Sequence, residues 1–211
     1  MTNFFLTILK SNLVKMKLFI FIILPCLTSC NSPKISFEKI EYASFRVLKS
    51  EDNSKDSISI LLYSIMNNSG LVKIRNNDDY HDTLTFYTYQ LNKGRMSEIS
   101  QIFNSQKKLD DYFVTKKQAD SAFYGGVYHF LKVVYENGQE DSVCFIPPFM
   151  SAKFNAVFNM LNDEVYFGQN NTSCNPFNIP EIFKTGVLLN YKKSTYLPEV
   201  KQLPSFKPED Q

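Results

Sequence analysis

Alternating apolar and polar residues dominate the middle of the chain and predict a series of β-strands. Successive side chains of a strand point to opposite faces, so a period of two indicates strands that lie on a core. Phe37 opens the first such stretch, and a charged loop over residues 49–56 follows it. The sequence predicts strands at residues 37–48, 58–66, 71–75, 83–91, 128–135 and 142–146.

Short polar segments between these stretches predict turns. Residues 67–70 (Asn-Asn-Ser-Gly) and 76–82 connect the second, third and fourth strands. Asn137-Gly138 lies between the last two strands and predicts a type I′ turn, whose two central φ angles are both positive. Pro147 then ends the sixth strand, because proline cannot donate a ladder hydrogen bond.

Helical spacing predicts two helices. The first spans residues 97–113 with Ser97 as N-cap, and the second begins after Ser151. Residues 186–191 are interpreted as a last edge strand, and the prolines after residue 192 predict an extended tail over 192–211. The apolar positions that give the helical spacing are Ile99, Ile102, Phe103, Leu109 and Phe113, then Phe154, Val157, Phe158 and Leu161.

The predicted order is β-β-β-β-α-β-β-α, which favours an α+β fold. We expect an antiparallel sheet of about six strands with two helices packed on one face. The domain would span residues 37–191.

The first thirty residues carry the strongest motif. Lys15 and Lys17 precede an apolar run over residues 18–24, which is far shorter than the roughly 20 residues of a membrane span. The motif Leu27-Thr28-Ser29-Cys30 follows. It resembles the lipobox of bacterial lipoproteins, and the element order is similar to that of small Gram-negative envelope lipoproteins and, loosely, of β-lactamase-inhibitor proteins.

The lipobox resemblance implies that residues 1–29 are a signal peptide and that Cys30 is lipidated. Residues 30–36 would then form a lipidated tether, and Met16 is a candidate for the true start, with residues 1–15 a mis-called extension. The alternative is an ordinary secretory signal that happens to contain Cys30. We expect an anchor in the outer membrane, and because no acidic tract follows this cysteine, we expect the protein to face the periplasm.

Cleavage after Ser29 would change the charge balance. Residues 1–29 hold three of the 23 basic side chains and none of the 21 acids, so 20 and 21 remain, a net charge of −1. This balance gives nucleic acid no basic surface to recognise. Cys144 and Cys174 would be the cysteines left, and we predict a disulfide between them, against the alternative of two independent thiols.

Motifs for catalysis, cofactors and metals are missing from the sequence: no GxSxG, P-loop, GxGxxG, HExxH or EF-hand pattern occurs. His81 lies in a polar turn and His129 in a strand, and we expect neither to be catalytic or to bind metal. We predict no cofactor.

Two features remain as candidate sites. Tyr87 and Tyr89 share one face of their strand and, with Tyr63 from a neighbouring strand, could form a binding patch for a sugar or protein; the alternative is that they are buried. A recurring tripeptide of Asp, Ser or Thr and an aliphatic residue resembles the acceptor signal of a periplasmic O-glycosylation system, or simply marks strand starts. Its hydroxyl residues are Ser57, Thr83, Ser121 and Ser142.

These observations favour a lipid-anchored envelope protein that acts as a binding or interaction module without catalysis. The partners expected are the membrane, through the lipid, and an unknown envelope protein or glycan. Two alternatives stay open: a periplasmic or surface hydrolase acting on glycan or peptide, and an immunity or inhibitor lipoprotein.

Overall fold

The computed structural model describes residues 35–48, 56–78, 81–104, 107–115, 124, 126–168 and 170–197. The chain divides into two units, Met1–Lys34 and Ile35–Gln211. The signal segment, Cys30, Ser121 and residues 198–211 of the predicted tail lie outside the described residues.

The fold is α+β, with an antiparallel sheet in the order β6-β5-β1-β2-β3-β4-β7. The six predicted strands are confirmed with small shifts of their ends, while β7 has two residues and was not predicted. The strands are β1 Phe37–Leu48, β2 Ser57–Asn67, β3 Leu71–Asp78, β4 Thr83–Gln90, β5 Tyr128–Tyr135, β6 Glu140–Phe145 and β7 Thr172–Ser173.

The turn between β5 and β6 differs from the predicted type I′ turn. Gly138 has φ +80°, but Asn137 has a negative φ, and the Gly138 amide donates to the carbonyl of Tyr135 at 2.8 Å. This is a three-residue loop in which a left-handed glycine follows an ordinary turn. Gly70, with φ +84°, closes the β2–β3 turn in the same way.

Two helices cover one face of the sheet, which we call the α1/α2 face. Helix α1 spans Lys93–Phe103 and helix α2 spans Ala152–Leu161. The predicted start of α1 is wrong, because Asn92, rather than Ser97, accepts the capping bond from the Arg95 amide at 3.0 Å. The helix also ends earlier than predicted, and a separate 3-10 turn, Leu109–Tyr112, follows it. The N-cap of α2 is Ser151, as predicted.

A third helix, α3, spans Glu181–Lys193 and packs on the opposite face, the α3 face. The prediction of an edge strand over residues 186–191 is therefore wrong. The buried residues of α3 are Phe183 and Val187, which lie one helical turn apart. The predicted tail begins inside this helix, and the segment after it docks on the end of β6, where the Ile146 amide donates to the carbonyl of Tyr196 at 3.1 Å.

The predicted disulfide is also wrong. Cys144 is buried in β6, whereas Cys174 follows β7 and donates its amide to the carbonyl of Phe86. Strands β6 and β7 are the two opposite edges of the sheet, and both thiols are free. Six strand spacings of about 4.8 Å separate these edges, far more than the roughly 6 Å between Cα atoms that a disulfide spans.

Candidate functional site

The tyrosine patch predicted from the sequence does not form as a single surface. Tyr63 lies opposite Arg75 in the β2–β3 register, so it is on the α3 face, where it is fully buried against Phe183. Tyr87 and Tyr89 lie on the α1/α2 face and are half-buried against its core. The alternative interpretation, that these tyrosines are buried, therefore holds for Tyr63, whereas Tyr87 and Tyr89 are only partly buried.

The two histidines occupy separate environments. His129 is buried, its Nδ1 lies 2.8 Å from the Tyr42 hydroxyl, and its ring stacks on Phe145. Burial lowers the pKa of His129 to about 4, so the ring is neutral at ordinary pH. His81 is exposed in the β3–β4 turn, with Nδ1 2.6 Å from Asp78 Oδ2. Within the described residues, His129 contacts aromatic rings and no acid, whereas His81 bonds to Asp78. The hydrolase alternative requires a histidine that faces two acids in a cleft.

The cavity beside His129 is too small for a substrate. It lies on the α1/α2 face beneath α2 and has a volume of about 20 Å³, room for about one water molecule. Two of its lining residues, Ser64 and Tyr166, have their hydroxyls 3.0 Å apart. This interior is a packed core with a small buried polar cluster.

A larger open groove lies on the α3 face, and we call it the α3-face groove. Its volume is about 460 Å³, within the range of about 300–1,000 Å³ typical of small-molecule sites. It opens beside α3, between the first residues of β2, the last residues of β3 and the segment that leads into α3. It is lined by Ile58, Ser59, Ile60, Arg75, Asn77, Asn178, Ile179 and Lys184.

The groove is basic. Arg75 is half-buried in β3 between its register partners Tyr63 and Phe86, and its guanidinium makes no hydrogen bond or ion pair within the described part of the chain. Partial burial lowers the pKa of Arg75 from its usual value, through desolvation. Lys184 supplies a second cation, whose Nζ lies 3.0 Å from Glu181 Oε2 in an exposed pair. The lining side chains include no carboxylate.

The strand register explains why Arg75 faces this groove. Val72 and Ile74 alternate with Lys73 and Arg75, so β3 directs its apolar residues to the α1/α2 core and its basic residues to the α3 face. This alternation was visible in the sequence, but Arg75 and Lys184 meet only because α3 packs over β2 and β6. Sequence reasoning therefore missed the groove.

The candidate modification sites differ in access. Ser57 and Thr83 are exposed first residues of β2 and β4. Ser142 is half-buried in β6 and its hydroxyl donates to Asn190 Oδ1 at 3.3 Å. Ser121 and Cys30 lie outside the described residues.

The described residues contain neither a helix suited to a bilayer nor a cluster of metal ligands. No helix in the described ranges combines the length and apolar character needed to span a bilayer. Over the same residues, no three His, Cys, Asp or Glu side chains lie close enough to hold a metal ion.

With this geometry established, the chain was compared with known proteins. No protein-family model, no curated protein and no solved structure matches it.

Proposed function

We propose that this protein is a lipid-anchored envelope protein that binds its partner in the α3-face groove without transforming it chemically. The observation that carries the binding role is the groove itself, a basic opening of about 460 Å³ beside α3. The lipobox ending at Cys30 supports the anchor. An inhibitor or immunity protein would be a binding module of the same kind.

Metabolic labelling with a palmitate analogue in the native host tests the anchor. We expect Cys30→Ala to abolish labelling and release the protein from the membrane fraction. Cys26→Ala is the matched control, because Cys26 would leave with the signal peptide, and it should label like the unaltered protein. Labelling that survives in Cys30→Ala would contradict the anchor.

Site-specific photo-crosslinking in intact cells tests the groove. A benzophenone amino acid placed at Asn178, an exposed lining residue, should form an adduct on illumination. The same probe at Gln139, in the exposed β5–β6 turn outside the groove, is the control and should form none. Equal adducts at both positions, or none at Asn178, would contradict the groove as the binding surface.

A further inference from the structure

Building on the proposed binding function, we infer that the α3-face groove takes a small hydroxylated molecule carrying an oxyanion, a carboxylate or a phosphate, which the Arg75 guanidinium binds. An acidic sugar and a sugar phosphate are the two sources of this chemistry. The inference rests on the unpaired cation, the shape of the groove and its polar lining.

The first step is the missing counter-charge of Arg75. A charged group that is partly removed from water loses hydration, and proteins normally compensate with a paired charge. Arg75 has aromatic register partners, Tyr63 and Phe86, and no ion pair within the described residues. A bound anion would supply the missing partner at a site that is already partly desolvated, where the attraction is stronger than in bulk water.

The second step is geometric. Guanidinium presents its N–H donors in a planar fork that matches both oxygens of a carboxylate or two oxygens of a phosphate. Lys184, on α3, adds a second cation to the lining. Its pair with Glu181 is exposed on both sides, so little free energy holds it there. The lining residues include no carboxylate, and the Glu181 carboxylate beside the groove is paired with Lys184 at 3.0 Å.

The rest of the lining indicates what carries the anion. Ser59, Asn77 and Asn178 offer hydroxyl and amide groups that both donate and accept hydrogen bonds, as a hydroxylated ligand needs. Three isoleucines supply apolar surface for the carbon skeleton, at Ile58, Ile60 and Ile179. A sugar ring has both kinds of surface, whereas a purely apolar ligand would make no use of the Arg75 guanidinium or of the hydroxyl and amide groups of the lining.

Calorimetric titration of the full-length lipidated protein in detergent micelles tests the inference. Glucuronate, glucose 6-phosphate and glucose share one ring and differ in the anion, so they separate the carboxylate and phosphate sources from the sugar alone. We expect at least one anion to bind at least about tenfold more tightly than glucose, the factor that one charge-assisted hydrogen bond supplies. Added salt should weaken that binding.

Variants tie the binding to Arg75. Arg75→Gln should weaken the preferred anion at least about tenfold, and Arg75→Lys should weaken it less, because lysine keeps the charge but loses the fork. Lys73→Gln is the matched control: it removes one positive charge from the same strand and face, outside the groove, and should leave affinity within about twofold. Circular dichroism checks that each variant is folded. If Arg75→Gln does not fold, the affinity of Arg75→Lys is the test.

Two results would overturn the inference: neither anion binding more tightly than glucose, or unchanged anion affinity in both Arg75 variants. Either result leaves the proposed function standing if Asn178 still crosslinks and Cys30→Ala still loses its label. If the protein binds the anion but never carries lipid, the proposed anchor is wrong and the oxyanion site is supported.

Discussion

At the scale of single residues, Glu41 shows how one hydrogen bond allows an acid to lie inside the sheet. Glu41 is only 4% exposed, and its Oε1 accepts a bond of 2.8 Å from the Tyr63 hydroxyl. Lys39 Nζ approaches the other carboxylate oxygen at 3.4 Å. A tyrosine interpreted from the sequence as a possible surface contact is therefore part of a buried polar pair.

Removing that hydroxyl should destabilise the fold. We predict that Tyr63→Phe lowers the free energy of unfolding by about 1.5–3 kcal/mol, because a buried carboxylate loses a charge-assisted donor. Urea denaturation measures the difference. Tyr89→Phe is the control, since the half-buried Tyr89 hydroxyl has no hydrogen bond within the described residues, and it should change stability by less than about 0.5 kcal/mol.

His129 makes stability depend on pH. Burial lowers its pKa from 6.5 to about 4, so below pH 6.5 the unfolded chain takes up a proton that the folded chain refuses. The contribution is complete above pH 6.5 and is lost as pH falls toward 4, by about 3 kcal/mol in total. Urea midpoints of the unaltered protein and His129→Phe, measured across that range, should show a shallower slope for the variant. Parallel slopes would contradict the prediction.

At the scale of elements, a π-helical turn, Asn162–Tyr166, continues α2 and places Tyr166 over the sheet. Arg95 of α1 forms a two-point ion pair with Glu164 in this turn, joining α1 to the end of α2. Gly168 leaves the turn so close to its backbone that a Cβ would lie 2.1 Å from the Glu164 carbonyl oxygen.

The same substitution at two glycines should therefore act in opposite directions. We predict that Gly168→Ala destabilises the protein by about 1–3 kcal/mol, as expected for overpacking. Gly186→Ala, inside α3 where nothing lies within 4 Å of the new Cβ, should stabilise it by about 0.5–1 kcal/mol. Thermal unfolding of both variants measures the two signs, and a stabilising Gly168→Ala would show that the turn relaxes freely.

The elements that the sequence predicted well are those whose signal is local. Strands β1 to β6 alternate along their own length, and Ser151 caps α2 within three residues of the amide it binds. Helix α3 was misread because Val187-Leu188-Leu189 is an apolar run too short to distinguish a strand from a buried helix. Its true signal is the spacing of Phe183 and Val187.

The groove could not be predicted, because its residues come from three segments whose meeting depends on the fold. Arg75 is on β3, Ser59 on β2 and Lys184 on α3, and each is an ordinary polar residue within its own segment. Only the placement of α3 on the second face of the sheet brings them together. The predicted arrangement, with both helices on one face of the sheet, leaves the opposite face of these strands exposed to solvent and so contains no groove.

At the scale of the whole molecule, the sheet separates two hydrophobic cores that differ in size and packing. The α1/α2 core encloses His129 and a cavity of about 20 Å³, whereas the α3 core is smaller and leaves an open groove beside it. The same sheet order keeps Cys144 and Cys174 at opposite edges. The described domain is thus held together by its two cores, with no disulfide between Cys144 and Cys174.

Thiol counting checks this arrangement across the full width of the sheet. If Cys30 carries lipid and residues 1–29 are removed, as proposed, we predict two alkylatable thiols per chain under denaturing conditions without reductant. In the folded protein, an alkylating reagent should react quickly with half-buried Cys174 only. Cys144 is 1% exposed, and burial raises the pKa of its thiol to about 12. That pKa leaves on the order of a thousandfold less thiolate than in an ordinary cysteine. Cys174→Ala should lose the fast thiol and Cys144→Ala the protected one. Unreduced, denatured protein without any reactive thiol would mean that β6 and β7 are joined, which this sheet order forbids.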